Sequence, residues 1–170
     1  DGRLKWNFPV EGDQHAAHSP LIDSDGNIYY GTFGVSDSCG FYVLSPEGKL
    51  NWQYPGMFEG EATMNNKGQL FSLVVSAVNT LISLDYQGNL RWQKDLETIL
   101  APYICDSEGV VYICTARNVS AYDSDGELLW QASFDTPSTR VACPAIGYDG
   151  TLYVGTFASP MEKSKLYAIE

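Results

Sequence analysis

An all-β fold, a β-propeller of four-stranded antiparallel blades, follows from three features of the 170-residue sequence. All four tryptophans occupy one slot of a repeated phrase, Gly-x-Leu-x-Trp, at Gly2 to Trp6, Gly48 to Trp52, Gly88 to Trp92 and Gly126 to Trp130. These tryptophans are 46, 40 and 38 residues apart, and the count from Trp130 through Glu170 and on from Asp1 to Trp6 is again 46. A period of about 40 residues marks a repeat architecture. No stretch of about ten residues or more carries helical periodicity.

Each period opens on a short segment that ends in a glycine turn. A β-branched and aromatic run follows: Ile28-Tyr-Tyr after Gly26, Leu70-Phe after Gly68, Val111-Tyr-Ile after Gly109 and Leu152-Tyr-Val after Gly150. Asp-Gly and Asn-x-Gly between apolar runs are hairpin signals, because glycine supplies the positive φ of the turn. A third run comes next, at Phe41–Leu44, Leu81–Leu84, Val119–Tyr122 and Leu166–Ile169, and a second glycine turn leads into the Leu-x-Trp strand. Four strands per period are the blades of a propeller. Blade 1 covers about 18–54, blade 2 about 60–94, blade 3 about 100–133, and blade 4 about 142–170 together with 1–9.

In this reading Trp6, Trp52, Trp92 and Trp130 are wedges between blades, since a large aromatic side chain buries about 150–250 Å². The segment Asp1–Phe8 is expected to be an outer strand that completes the last blade and covers an edge prone to aggregation. That closure occurs either within one chain, as a four-bladed monomer, or between two chains, as an eight-bladed ring from a homodimer formed by strand exchange.

A hydrophobic content of 44% with 13% aromatics fits a folded chain able to bury a core. No run of about 18 apolar residues occurs, which excludes membrane insertion by a helix. The chain opens on Asp and reads as a processed or excised piece. Ten basic against 21 acidic residues give a net charge of −11. Such a surface repels phosphate backbones, so nucleic acid is not an expected partner. The cysteines Cys39, Cys105, Cys114 and Cys143 match no zinc spacing. They are expected mostly as buried small hydrophobes, with two disulfides as the alternative in an oxidising compartment.

The segment Ser19-Pro-Leu-Ile-Asp-Ser-Asp-Gly-Asn-Ile-Tyr-Tyr-Gly31, followed by Val43-Leu-Ser-Pro-Glu-Gly-Lys-Leu-Asn-Trp52, resembles the PQQ-like (quinoprotein-type) β-propeller repeat. Cys143-Pro-Ala-Ile-Gly-Tyr-Asp-Gly-Thr-Leu-Tyr-Val-Gly155 with Leu166–Ile169 is similar to it again, while blade 2 departs with Ala62 where the others carry Pro. Quinoprotein dehydrogenases hold their quinone beside a vicinal Cys-Cys disulfide and a calcium ion bound by Glu, Asn and Asp. This chain has no adjacent cysteines, so the resemblance implies the cofactor-free branch and no cofactor. It also implies a scaffold for protein contacts and a periplasmic or extracellular setting.

The candidate ligand-binding residues are His15 and His18, a His-x-x-His before the inner strand of blade 1, with Glu59, Glu61, Arg117 and Arg140 in comparable linkers and loops of other blades. Glu97 occupies another such linker. A His-x-x-His suits a metal best on a helix, so no metal is assigned. Asp23-Ser-Asp25 and Asp123-Ser-Asp125 begin like calcium loops, but the twelfth positions are Gly34 and Phe134, which offer no carboxylate. Turn chemistry accounts for both. No nucleophile elbow or phosphate loop is present, and no catalytic residue is assigned. The loops Phe33–Gly40 and Phe157–Lys165, with Asp37, Pro160 and Met161, differ most between blades. Recognition tends to sit on such loops.

The reading is a non-catalytic scaffold that binds protein or glycan. The alternatives are a lyase or hydrolase working at the channel mouth and an inactive fragment of a larger propeller. Light scattering on a sizing column separates the two modes of closure. The mass of one chain means that the N-terminal segment completes its own fourth blade, and twice that mass means strand exchange.

Overall fold

The computed structural model describes residues 1–16, 18–34, 38–96, 103–115, 117–134, 140–157 and 163–170. Among these, every regular element is a strand, and four antiparallel sheets account for them. The chain falls into two compact units. One holds Asp1–Ala62 and Leu70–Leu96, the other Thr63–Gln69 and Glu97–Glu170.

In the first unit, β1 (Gln14–Ala16) and β2 (Leu21–Ile22) both pair with β3 (Ile28–Gly34), which pairs with β4 (Gly40–Leu44) and then β5 (Leu50–Pro55). The inner strand is therefore broken in two, one break longer than the sequence suggests. Pro20 precedes β2, and a residue without an N–H cannot continue a ladder. After β6 (Thr63–Met64), which belongs to the second unit, β7 (Leu70–Val74), β8 (Asn79–Leu84) and β9 (Leu90–Leu96) form an antiparallel meander.

In the second unit, β10 (Tyr103–Cys105), β11 (Val111–Cys114), β12 (Asn118–Tyr122) and β13 (Leu128–Ser133) follow the same order. The last sheet repeats the broken inner strand: β14 (Arg140–Val141) and β15 (Ala145–Ile146), separated by a link that ends in Pro144, both pair with β16 (Leu152–Phe157). On its other side β16 pairs with β17 (Lys165–Ile169).

The turn glycines have the conformation that their place demands, with φ of 82° at Gly26, 72° at Gly68, 93° at Gly109 and 87° at Gly150. Three outer strands also share a feature that the repeat phrase does not announce. The ladder slips by one residue between the leucine and the tryptophan: Val43 faces Trp52 but Leu44 faces Leu50, Ser83 faces Trp92 but Leu84 faces Leu90, and Ala121 faces Trp130 but Tyr122 faces Leu128. A bulge bends and twists its strand. It leaves the leucines of the phrase about half exposed, at 47% for Leu50, 44% for Leu90 and 51% for Leu128, while Trp52, Trp92 and Trp130 are half-buried.

The wedges of the first unit seat on glycine. Trp6 donates its indole N–H to the Pro46 carbonyl (3.0 Å), and Trp52 donates to the Tyr86 carbonyl (3.1 Å). Each ring covers the turn glycine two residues further on. A Cβ on Gly48 would come within 2.5 Å of the Trp6 ring, and one on Gly88 within 2.8 Å of the Trp52 ring. Residues 1–13 form no strand, in contrast to the outer strand expected at Asp1–Phe8. The segment's Trp6 nonetheless finds the glycine seat.

Phe58 is the other anchor of this unit. Wholly buried, it packs on Phe41 with ring centroids 5.2 Å apart, and its N–H donates to the Thr32 carbonyl. Gly31 makes room for it, since a Cβ there would lie 2.5 Å from the Phe58 Cβ. In the second unit Cys114, Val119, Leu152 and Val154 form the buried cluster.

Gly88→Ala is expected to destabilise the fold beyond the cost of a left-handed alanine alone, about 1–2 kcal/mol, because its Cβ collides with Trp52. Gly150→Ala, where a Cβ meets nothing within 4 Å, should incur only the backbone cost. Chemical denaturation of the two variants measures the difference.

Candidate functional site

The turn before the second strand is built the same way four times. Its first residue is Asp23, Asn65, Asp106 or Gly147, a glycine follows three positions later, and an aromatic stands six positions later. The first residue's N–H and carbonyl bond Asn27 and Gly26, Gln69 and Gly68, Val110 and Gly109, or Thr151 and Gly150. In blades 1 and 3 the Asp carboxylate has a second task. It accepts the hydroxyl of its aromatic partner, Tyr29 to Asp23 at 2.9 Å and Tyr112 to Asp106 at 3.1 Å. In blade 2 the same two sequence positions hold an amide, Asn65, and a ring with no hydroxyl, Phe71.

The charges of these turns are spent locally. Asp23 accepts the N–H groups of Asp25 and Asn27 through Oδ1 and the Asn27 side chain through Oδ2. Burial pushes its carboxyl up, but the hydrogen bonds from Asn27, Tyr29 and Asp25 outweigh it and hold the group below the usual carboxylate range. An Asx turn, not a calcium loop, uses these oxygens. Asp106 Oδ1 likewise accepts from the N–H groups of Glu108, Gly109 and Val110.

Blade 4 breaks the pattern. Gly147 supplies no carboxylate to Tyr153, and a Cβ there would meet Asp149 Oδ1 at 2.8 Å and Tyr153 Cε2 at 3.2 Å. A cleft of about 440 Å³ opens beside it, between this turn and the Asp106 turn of blade 3. That volume is within the range of small-ligand sites. Ile104, Ile146 and Tyr112 line it as apolar surface, Asp106 and Glu108 as carboxylates, and Tyr148 stands fully exposed beside them. Cys105 also lines it. Burial pushes its thiol up against the opposing effect of the hydrogen bond with the Thr63 hydroxyl at 3.1 Å. The cleft is apolar in part, acidic in its polar groups and bordered by tyrosine. A cationic group with an apolar stem matches that surface.

The residues singled out from sequence lie elsewhere. His15 is on β1 opposite Phe33 and faces solvent, because strand alternation turns Gln14 inward to bond Thr32 Oγ1 at 2.6 Å. His18 is half-buried after β1. Glu59 is half-buried with its N–H on the Leu73 carbonyl, and Glu61 is exposed. Arg117 is exposed at the turn between β11 and β12, and its carbonyl accepts the Phe134 N–H at 2.7 Å. Arg140 pairs with Phe157 through the backbone of β14. Among the described residues, no three His, Cys, Asp or Glu side chains converge as a metal would require. Asp37, Glu97, Pro160 and Met161 lie outside the described residues. Sequence reading passed over the cleft, although its signal was present: Gly147 alone departs from Asp or Asn when the four turns are aligned.

No family model matches the chain, and no curated protein matches it. Solved structures do. BamB from Moraxella catarrhalis is similar at a TM-score of 0.59 and 22% identity, over 81% of this chain and 42% of that one. XC5397 from Xanthomonas campestris, a gluconolactonase, is similar at 0.55 and 15%, over 81% and 53%. BBS1N, solved in complex with ARL6DN, is similar at 0.57 and 15%, over 88% and 49%. The fold is a β-propeller. The chain spans about half the length of each of these structures, and at such identities the likeness extends to the fold alone.

Burial chiefly, then the Asp106 charge and hydrogen bond, push the Tyr112 hydroxyl up to about 12. A tyrosine whose folded pKa lies above its unfolded value of about 10 stabilises the fold fully below that pH, and the contribution is lost as pH rises toward 12. Asp106→Asn is therefore expected to lower the Tyr112 pKa part of the way to 10. Ultraviolet difference titration against Tyr112→Phe measures it.

Proposed function

We propose that this chain is a PQQ-like propeller of the cofactor-free kind that serves as a protein-binding scaffold, and that the Gly147 cleft receives a basic side chain of the partner. The observation that carries this reading is the one turn of four in which the side chain that bonds the turn is replaced by glycine, with a cleft beside it. The acidic surface supports it, since a net charge of −11 draws basic segments toward the molecule. Tyr148 supports it as well, because an exposed tyrosine beside carboxylates suits a guanidinium through stacking and cation–π attraction. BBS1N, similar in fold, is found in a protein complex. His15, His18, Glu59, Glu61, Arg117 and Arg140 are proposed as secondary contacts on the same scaffold, with glycan as a second ligand class.

The N-terminal segment enters the reading too. We assign Asp1–Pro9 to the blade that β17 leaves one strand short, with closure within a chain or by strand exchange.

A short arginine-containing peptide is the probe. Its binding, followed by isothermal titration, is expected to weaken about tenfold or more on Tyr148→Ala with Glu108→Gln, and to weaken with added salt. An unchanged affinity in that double variant removes the cleft from the function. Binding that persists at His15→Ala and Arg117→Ala assigns those residues no part in it.

A further inference from the structure

We infer that Cys114 and Cys143 are a dithiol pair that closes to a disulfide under a disulfide oxidant, cross-linking the third and fourth sheets of the second unit. Both residues relate to one valine, Val154: Cys114 shares its buried cluster, and Cys143 lies opposite it in register. Cys114, on β11, is fully buried and packs in the cluster with Val154, while Val141 and Ile146 press on the same cluster from β14 and β15. Cys143 is exposed in the link Ala142–Pro144 between those strands. That link is held along β16 at both ends: the Ala142 N–H donates to the Gly155 carbonyl at 2.9 Å, and Ala145 faces Tyr153. Cys143 is thereby placed opposite Val154, which belongs to the same buried cluster as Cys114. Burial first and the neighbouring Cys143 second push the Cys114 thiol up to about 12.

The remaining cysteines are placed differently. Cys39 is the single cysteine of the first unit and is buried there. Cys105 has its sulfur against the Thr63 hydroxyl.

The chemistry runs in two exchanges with glutathione disulfide. The exposed Cys143 thiolate attacks one sulfur of the oxidant, forming a mixed disulfide and releasing one glutathione thiolate. Cys114 then loses its proton to water or buffer, and its sulfur attacks Cys143 Sγ and expels the second glutathione. Two protein thiols become one disulfide, and one glutathione disulfide becomes two glutathiones. The second exchange needs a thiolate that burial disfavours. Its rate is expected to rise about tenfold per pH unit across the range below the Cys114 pKa.

The test is incubation of the full chain with glutathione disulfide at about pH 8.5, near the ordinary cysteine pKa. Alkylation and non-reducing peptide mapping by mass spectrometry follow. The expected result is a linked pair of peptides carrying Cys114 and Cys143, with a melting temperature raised by about 5 °C or more. Cys143→Ser should abolish both, and Cys114→Ala should stop at the glutathione adduct on Cys143. A wild-type chain that retains only that adduct after exhaustive oxidation overturns the inference. So does a chain that links Cys143 to Cys105. Cys143 is on the surface, so its serine variant keeps the fold and makes either result readable.

Discussion

The seat of a tryptophan on a glycine is the contact on which the repeat depends. The indole covers a turn residue that has no Cβ, and its N–H satisfies a carbonyl of the same turn. Trp6 and Trp52 do this at Gly48 and Gly88 with nearly the same geometry. Both halves of the contact explain why the phrase is written Gly-x-Leu-x-Trp. Glycine allows the positive φ and also the close approach, while the tryptophan links an outer strand to the turn ahead of it. In the first unit, the phrase that forms the turn at Gly48 also delivers Trp52 to the turn at Gly88. A change at either end costs packing and a hydrogen bond together.

Local polarity in this protein is used mainly for construction. Asp23 and Asp106 bond their own turns and a tyrosine, so carboxylates that look available in the sequence are engaged. Thr32 and Thr156 perform a matching task in blades 1 and 4, bonding across to Gly40 and Lys165 at the start of the next strand. These repeated pins make the departure at Gly147 informative. Where every other copy fills the position with a side chain that bonds its turn, this one leaves a cleft with acidic and aromatic walls.

The site shows how reading by residue type and reading by repeat differ. His15, His18 and the linker glutamates stand out by their chemistry, but strand alternation sends His15 to solvent, and among the described residues no metal-ligating side chains converge on it. Gly147 has no chemistry of its own and is conspicuous only against Asp23, Asn65 and Asp106. Aligning the copies identifies the position. It does not reveal that Tyr148 and Glu108, from different blades, border one cleft, because that depends on how two sheets pack.

The sequence by itself determined the repeat, the four-strand content of each period and the turn glycines, because hydrophobic alternation and positive φ are local demands written residue by residue. Tertiary structure decided the rest. The bulge between Leu and Trp is a one-residue slip in the pairing of two strands, and the split inner strands arise where Pro20 and Pro144 interrupt a ladder with β3 and β16. Cys114 and Cys143 are 29 positions apart in the chain, and the register on β16 is what sets Cys143 opposite Val154, a member of the Cys114 cluster. The bulge and the Cys143 register have no local signature, because each is a relation between segments that only packing brings together.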